Sequence, residues 1–289
     1  MLAKRIILLF FRDKANVFFS LLAVLIILAL YILFLGSFME QTLQEQLGRE
    51  SEKISVTMAG ITLAGMISVT SITGCMGALG ISVSDRDKEN AASDFLSSPV
   101  SRGKITMGYV LGSAVVGFFM TMVALVIIMG YIVLNGGNVP GLVTIAYLLF
   151  TVVLSVLCGN SMAYFLTVFV KTQNAFVSVS TILGTLIGFL MGIYVPIGQM
   201  PDAVQWVIKC FPMSHSASMF RQLIADDTLS ELFAFAPAGA LTDFRELFGI
   251  VYTYGNRTST FWLSAAVLVL TTVVFYCLSL LLMRGRKVG

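Results

Sequence analysis

Six long stretches of this 289-residue chain contain no Asp, Glu, Lys or Arg. A helix rises ~1.5 Å per residue, so about 20 residues suffice to cross a hydrocarbon core of ~30 Å. Each charge-free stretch reaches this length, so the chain has six candidate membrane crossings. They are residues 15–35, 54–83, 105–134, 141–170, 175–198 and 259–283.

The charges that the chain does carry lie between these stretches. Only 11% of the residues are charged and 57% are apolar, whereas a soluble domain carries about 25% charged residues. A membrane barrel would show short segments of alternating polarity, and these stretches are continuously apolar. The sequence therefore predicts an all-α membrane protein, with one transmembrane domain over residues 1–289 and six transmembrane helices.

Basic residues between the stretches predict the orientation. Residues 1–14, 84–104, 171–174 and 284–289 carry twelve Lys and Arg against five acids, and the remaining connections carry six against ten. The basic segments of membrane proteins face the cytoplasm, so we expect both termini there, at the plasma membrane. Lys4, Arg5 and Arg12 share one arc of a helix, which predicts an interfacial helix over residues 1–14. A plain charged flank of the first span is the alternative.

The sequence shows no pattern typical of a catalytic or metal site. The four cysteines are scattered, and His215, the single histidine, has no other ligand at metal-binding spacing. No phosphate-binding loop is present. The six stretches also lack the buried charges of an ion-coupled transporter. If the protein transports a substrate, the energy is expected to come from outside this chain.

The connection after the second stretch combines charged residues with an apolar pair. Asn90 or Ser93 can begin a short helix there, which Pro99 would end. Phe95 and Leu96 are adjacent apolar residues in charged surroundings, which is typical of a docking surface for a partner protein. A solvated connector with Phe95 tucked against the helix ends is the alternative.

Two segments of the sequence carry patterns that recur in a known family. Asp85-Arg86-Asp87-Lys88-Glu89 followed by residues 94–102 is similar to the acidic-basic stretch and LL-S-P-V-S-R segment after the second span of type-2 ABC exporter permeases. Asn90 and Ala91 depart from the pattern, since Gly and Thr are frequent there. The second segment is similar to the P…W…P…R pattern between spans five and six, and its matching residues are Pro201, Trp206, Pro212 and Arg221.

The resemblance implies a coupling helix over residues 85–102, seated in a notch of a cytoplasmic ABC ATPase subunit. Lys171 would lie in a second, smaller contact. Family members work as two permeases, identical or related, with two ATPases; ATP and Mg are bound by the ATPase partner, and this chain is expected to bind no cofactor and no nucleic acid. The coupling residues implied are Asp85, Arg86, Asp87, Lys88, Glu89, Asp94, Phe95, Leu96, Pro99 and Arg102.

Residues 199–258 are predicted to be extracellular and to contain two short amphipathic helices. Pro201 suits a first helical position, and an apolar stripe follows it through Phe211. Asp243 and Glu246 resemble a capping box that begins a second helix. These helices are expected to lie against the outer leaflet, to re-enter it, or to pack on neighbouring spans.

Small residues recur every four positions in the fifth stretch, at Ser180, Gly184, Gly188 and Gly192. Such a seam allows close helix packing in lipid. The resemblance places it near the interface between permeases and the central pathway, and packing within one subunit is the alternative. In the second stretch, hydroxyls such as those of Thr70 and Ser71 can either satisfy backbone carbonyls or contact a substrate.

Together these features predict the permease subunit of an ATP-driven ABC exporter. A pathway without charges would not compensate the desolvation of a small ionic substrate. An amphiphilic or hydrophobic substrate is therefore expected, such as a drug, an antimicrobial peptide or a lipid-like molecule. The alternatives are a membrane sensor or structural subunit without transport activity and, within the family, a polysaccharide exporter.

Overall fold

Helices make up almost all of the structure, a computed structural model that describes residues 2–47, 52–87, 101–237, 239–255 and 257–285. The helices are α1 (Leu2–Arg12), α2 (Lys14–Leu30), a π-helical segment (Tyr31–Leu35), α3 (Gly36–Leu47), α4 (Glu52–Asp87), α5 (Arg102–Leu134), α6 (Leu142–Phe169), α7 (Gln173–Leu190), a 3₁₀ turn (Ile197–Gln199), α8 (Asp202–Cys210), α9 (Pro212–Leu232), α10 (Ala240–Leu247) and α11 (Phe261–Gly285). An antiparallel hairpin of β1 (Thr253–Tyr254) and β2 (Arg257–Thr258) precedes α11.

Six helical segments are long and apolar enough to cross a membrane. They are Lys14–Glu45, Lys53–Asp87, Gly103–Leu134, Leu142–Phe169, Gln173–Leu190 and Phe261–Leu282. The prediction of an all-α protein with six spans is confirmed.

The first two helices are separated by a cap at Asp13. Its backbone is not helical, and its carboxylate accepts a hydrogen bond from the Asn16 amide at 3.0 Å. In α1, Ile6 and Phe10 are fully buried while Leu8 is half exposed. The residues 2–12 therefore form a separate amphipathic helix, packed mainly against α5.

The first span is longer than the charge-free stretch 15–35. At Gly36 the chain passes from the π-helical segment into α3 without a break. A Cβ at this position would lie 2.9 Å from the Tyr31 carbonyl oxygen and 3.4 Å from the Tyr31 ring. Gly36 therefore makes room for the Tyr31 ring, and the helix continues to Leu47.

α4 is the centre of the bundle. Among the 18 most apolar consecutive residues of each candidate span, 83% are buried in α4 and 44% or fewer in every other span. It contacts α1, α2, α3, α5, α6, α7 and α9. Close approach depends on small residues, since a Cβ on Gly159 of α6 would lie 2.9 Å from the Ile72 Cα of α4.

The fifth span is shorter than the charge-free stretch 175–198. α7 ends at Leu190, and Gly192 follows in the left-handed region at φ +61°. Pro196 has no amide hydrogen to donate and disfavours a helical residue before it, so the chain turns here. The prediction that Gly192 continues the seam of Ser180, Gly184 and Gly188 is wrong, because Gly192 lies beyond the helix.

The largest difference from the sequence prediction is α9. This 21-residue helix is packed against α4, α6 and α11, and twelve of its residues are buried. Its sequence is rich in serine and charged residues, so apolar patterning does not reveal it. The sequence therefore did not predict this helix, which packs on neighbouring helices of the same chain.

The two short helices of this region differ in detail from their predictions. α8 begins at Asp202, with Pro201 in the extended capping position. The capping box at Asp243 is wrong, because α10 begins at Ala240 after Gly239 at φ +95°, which leaves Asp243 inside the first turn. Glu246 instead accepts a hydrogen bond from the Thr253 hydroxyl.

Candidate functional site

The last three residues of α4 connect it to four other helices. The Asp85 carboxylate accepts hydrogen bonds from Arg5 Nη1 at 2.7 Å and Nη2 at 3.2 Å, and from the Tyr109 hydroxyl at 2.7 Å. The Asp85 side chain is 12% exposed and that of Arg5 is 41% exposed. The hydrogen bond to Asp85 raises the pKa of Arg5. Asp85 therefore joins α1 and α5 to α4 through a half-buried ion pair.

Arg86 and Asp87 contact the ends of the next two helices. Arg86 Nη2 donates to the Thr167 carbonyl in the last turn of α6 at 3.0 Å. Asp87 accepts the amide hydrogen of Gln173, the first residue of α7, at 3.0 Å. A cation at a helix C-terminus and an anion at an N-terminus both complement the helix dipole. We call Asp85, Arg86 and Asp87 the α4 triplet, and the end of the bundle where they lie the triplet end.

A buried arginine organises the opposite end of the bundle. Arg221 of α9 is 0% exposed. Its Nε donates to the Ile61 carbonyl of α4 at 3.0 Å, and its Nη1 donates to the Gly249 carbonyl at 3.3 Å. Its Nη2 donates to the carbonyls of Met191 and Gly192, where α7 ends.

We call these four contacts the Arg221 clamp. All four acceptors are backbone carbonyls, and the cation lies at the C-terminal end of α7, where the helix dipole is negative. Burial lowers the pKa of Arg221, but an arginine remains charged at neutral pH. The clamp therefore fixes the turn after α7 to α4, to α9 and to the loop after α10.

Serine hydroxyls join three helices in the middle of the bundle. Ser68 and Ser216 lie 2.8 Å apart, and Ser155 lies 2.7 Å from both Ser71 and Ser216. Ser71 also donates to the Ser68 carbonyl, and Thr70 donates to the Met66 carbonyl at 2.8 Å. Thr70 and Ser71 are 2% and 0% exposed. Both hydroxyls were expected either to satisfy backbone carbonyls or to contact a substrate. In the structure they are hydrogen-bonded to backbone carbonyls, and Ser71 also to a neighbouring hydroxyl.

His215 has structural partners. Its Nδ1 is 3.1 Å from the Ser264 hydroxyl, and its Nε2 is 3.1 Å from the Lys209 carbonyl. Burial lowers its pKa, an effect that the hydrogen bond to Lys209 partly opposes. Within the part of the chain that the structure describes, no three His, Cys, Asp or Glu side chains are grouped as metal ligands would be.

The sequence of this helical bundle matches a known protein family. The family model described as ABC-2 family transporter protein matches residues 41–281, which is most of the chain. The chain belongs to the ABC-2 transporter family. A search of curated proteins found no significant match. Members are transmembrane subunits whose partner is a cytoplasmic ABC ATPase, so this is a multi-pass membrane protein and not itself the catalytic subunit.

Several predicted coupling residues of this ABC-2 permease lie outside the described residues. These are Lys88, Glu89, Asp94, Phe95, Leu96 and Pro99. Arg102 is the first residue of α5, and Lys171 is exposed in the short connection between α6 and α7. The other three, Asp85, Arg86 and Asp87, form the α4 triplet, so the predicted coupling segment 85–102 begins inside α4, with residues that contact other helices of the same chain.

The small residues of α7 face different surroundings. A Cβ on Gly188 would lie 2.9 Å from the Tyr194 ring of the same chain, whereas a Cβ on Gly184 would meet nothing within 4 Å. Ser180 has a buried hydroxyl without a hydrogen-bond partner among the described residues. Gly188 thus packs within the permease, while Gly184 leaves an open surface.

The P…W…P…R residues of the ABC-2 permease have distinct positions. Pro201 and Pro212 stand where α8 and α9 begin. Trp206 is 54% exposed, with Lys209 Nζ 5.4 Å from its ring centroid. Only Arg221 reaches the interior.

The local sequence does not reveal the partners of the α4 triplet or of the central serines. The charge of Arg5 predicts an interfacial helix but no ion pair, and no sequence pattern marks Tyr109 or Ser155. Arg5 and Asp85 are 80 positions apart, and Ser68 and Ser216 are 148 apart. The one available signal was the pairing of a basic α1 with an acidic end of α4.

Proposed function

We propose that this chain is the permease subunit of an ATP-driven ABC exporter for an amphiphilic or hydrophobic substrate. Membership of the ABC-2 family supports a transport role with a separate ATPase. The observation that carries the proposal is the α4 triplet, which joins the predicted ATPase contact to α1, α5, α6 and α7. Movement of that contact would therefore reach four helices at once.

In this proposal the triplet end faces the cytoplasm, and the coupling helix lies in the segment 85–102, which begins with the α4 triplet and ends at the first residue of α5, with Lys171 in the second contact. The excess of Lys and Arg on this side supports the orientation. ATP and Mg would be bound by the ATPase subunits, whose closure would shift the permeases between inward-facing and outward-facing or collapsed states.

The ATPase contact can be tested at Phe95 and Leu96. We expect Phe95→Ala with Leu96→Ala to weaken ATPase association at least about tenfold, because apolar anchors contribute most of the binding energy of an interface. The measurements are co-purification of the ATPase in detergent and ATP-dependent uptake of a fluorescent amphiphile by inverted vesicles.

A matched control replaces an apolar pair at the other end of the bundle. Leu142 and Val143 are 87% and 70% exposed at the start of α6, and Leu142→Ala with Val143→Ala should leave association unchanged. Unchanged co-purification and transport in the Phe95/Leu96 variant would refute the coupling role. An ATPase that co-purifies without any ATP-dependent uptake would instead favour a sensor or structural subunit.

We further propose that two permeases meet along α7, at the open surface beside Gly184. No atom of the same chain lies within 4 Å of a Cβ placed at Gly184, so the space beside this residue is open in the single permease. We expect Gly184→Ile to weaken permease association by about tenfold or more, since overpacking costs about 1–3 kcal/mol. Crosslinking in membranes and the monomer fraction in detergent measure this effect.

The control for this experiment lies on the opposite side of α7. Ile182 is 60% exposed, and Ile182→Phe should not change the oligomeric state. If Gly184→Ile associates as the parent protein does, the interface between permeases lies elsewhere.

A further inference from the structure

The single histidine of the permease lies where α8, α9, the β-hairpin and α11 meet. His215 of α9 is 2% exposed. Its Nε2 lies 3.1 Å from the Lys209 carbonyl near the end of α8 and 3.3 Å from the Tyr254 hydroxyl of β1. Its Nδ1 lies 3.1 Å from the Ser264 hydroxyl of α11. We call these four residues the His215 junction, because one imidazole ring connects all four elements.

The partners of the ring determine its protonation state in this arrangement. A backbone carbonyl can only accept hydrogen bonds, so Nε2 carries a hydrogen and donates it to Lys209. The Tyr254 hydroxyl donates to the same carbonyl at 2.8 Å. Nδ1 then accepts the hydrogen of the Ser264 hydroxyl, which makes the ring neutral. Addition of a proton at Nδ1 would turn this acceptor into a donor and place a positive charge inside the junction.

The charged side chains next to the junction are cations. The Lys209 ammonium donates to the Thr253 carbonyl at 3.2 Å. Arg221 lies six residues beyond His215 in α9, about 9 Å along the helix axis. Neither cation compensates a positive charge on the ring, and burial of an uncompensated charge is costly.

The other elements packed on α9 supply no counter-charge either. α4, α6 and α11 lack charged residues over the stretches 54–83, 141–170 and 259–283. The nearby titratable side chains without charge are Cys210, Tyr252 and Tyr254. Asp226, the first acid of α9, is paired with Arg245, and Glu246 of α10 accepts from the Thr253 hydroxyl. Among the described residues, no carboxylate is hydrogen-bonded to His215.

α8 depends on the junction for its attachment to the bundle. Of the nine residues of this helix, only Ile208 is buried. The Ser214 hydroxyl donates to the Ile208 carbonyl at 2.6 Å, and the Lys209 carbonyl accepts from the junction. A short helix has little stability of its own, so these few contacts hold it in place. Loss of the contacts at Lys209 would release the end of α8 together with the hairpin.

We propose that the His215 junction is an acid-sensitive latch, in which protonation of His215 releases α8 and the β-hairpin from α9 and α11. In the orientation proposed above, these elements lie on the outer side of the membrane, so the latch responds to the pH of the outer solution. The release requires neither the ATPase nor a substrate. The inference therefore stands apart from the proposed export function.

The direction of the pH response follows from linkage. Burial lowers the pKa of His215, an effect that the hydrogen bond to the Lys209 carbonyl partly opposes. In the released state the ring regains an ordinary pKa of about 6.5, so the released state binds the proton more tightly than the latched state. The latch is therefore fully stable above about pH 6.5. Below this value its equilibrium shifts toward release by up to about tenfold per pH unit, until the lowered pKa is reached.

The test measures local opening by hydrogen exchange. The full-length permease in lipid nanodiscs is exchanged at pH values from about 7.5 to about 5.5, and each rate is corrected for the intrinsic pH dependence of amide exchange. We expect the protection of peptides that cover residues 205–215 and 251–258 to fall by up to about tenfold between pH 6.5 and pH 5.5. Peptides from the centre of α4 should keep their protection over the same range.

Variants of single residues separate the latch from general acid destabilisation. His215→Gln cannot titrate in this range but keeps a donor for the Lys209 carbonyl, so its protection should not change with pH. Ser264→Asp places a carboxylate beside Nδ1 and should reverse the response, because it stabilises the protonated ring and raises the pKa of His215. Protection should then rise as the pH falls. Thr242→Asp is the control, because Thr242 is exposed on α10 and adds the same charge outside the junction.

Protection that stays constant with pH in the parent protein would overturn the proposal, as would an acid response of the same size in His215→Gln. The Thr242→Asp protein should respond as the parent does, and a reversed response there would also contradict the proposal. Melting curves at neutral pH show whether each variant is folded. If His215→Gln unfolds, His215→Asn replaces it, because the asparagine cannot titrate either and its amide oxygen keeps an acceptor for Ser264.

Discussion

Replacing Arg221 with methionine is expected to prevent the permease from accumulating as a folded protein. The change keeps much of the side-chain volume but leaves the carbonyls of Met191, Gly192 and Gly249 without their guanidinium donor. Each unsatisfied buried acceptor costs about 1–3 kcal/mol, so the total loss is expected to reach about 4 kcal/mol. A loss of this size is a large fraction of the stability of most proteins.

The measurement is the yield of monodisperse protein after size-exclusion chromatography in detergent, followed by its melting temperature. Arg257 is exposed in β2, and Arg257→Met should lie within about 0.5 kcal/mol of the parent protein. Arg221→Lys should be intermediate, because one ammonium cannot follow the fork of the guanidinium to all its acceptors. If Arg221→Met accumulates and melts like the parent, the clamp does not stabilise the fold.

The second large effect is expected at the ion pair between Arg5 and Asp85. Asp85→Ala removes the partner of Arg5 and of the Tyr109 hydroxyl together. We expect a loss of about 1–3 kcal/mol, since the carboxylate is mostly buried while the guanidinium is partly exposed to solvent. Transport should fall further than the amount of folded protein does, because α1 and α5 would no longer be tied to the end of α4.

A double-mutant cycle with Arg5→Ala isolates the pair, and its coupling energy should be about 1–3 kcal/mol. The exchange of charges, Arg5→Asp with Asp85→Arg, should recover part of the transport that either change alone abolishes. The pair between Lys53 and Glu231 is the control, because its side chains are 59% and 60% exposed. Lys53→Ala should cost less than about 1 kcal/mol. A coupling energy near zero for Arg5 and Asp85 would contradict their proposed role.

The membrane-spanning helices could be predicted from the sequence because lipid imposes a simple rule. A helix in hydrocarbon must avoid charges for about 20 residues, and stretches such as 105–134 obey this so closely that α5 ends at the predicted Leu134. The charge-free stretch 175–198 extends beyond the end of α7 at Leu190. Gly192 and Pro196 carry no charge, so they lie within the stretch although they terminate the helix.

The contacts of the candidate site could be predicted only in part. The acidic-basic run at residues 85–89 marked the correct end of α4, but its partners lie far away in the chain. α9 was missed because a helix that packs inside protein can carry serines, so long as each hydroxyl has a partner. Ser216 satisfies this condition through Ser68 and Ser155, and no local pattern records such a pairing.

The ion pair between Arg5 and Asp85 and the Arg221 clamp also differ in how mutation can alter them. Arg5 and Asp85 are both side chains, so a change in one can be suppressed genetically by a change in the other. The Arg221 clamp has only main-chain acceptors, which every residue type supplies. Substitution of Ile61 or Met191 leaves their carbonyls in place, and no exchange at those positions can replace a lost guanidinium. A genetic selection should therefore yield second-site suppressors of changes in the Arg5–Asp85 ion pair, and only reversion of changes at Arg221.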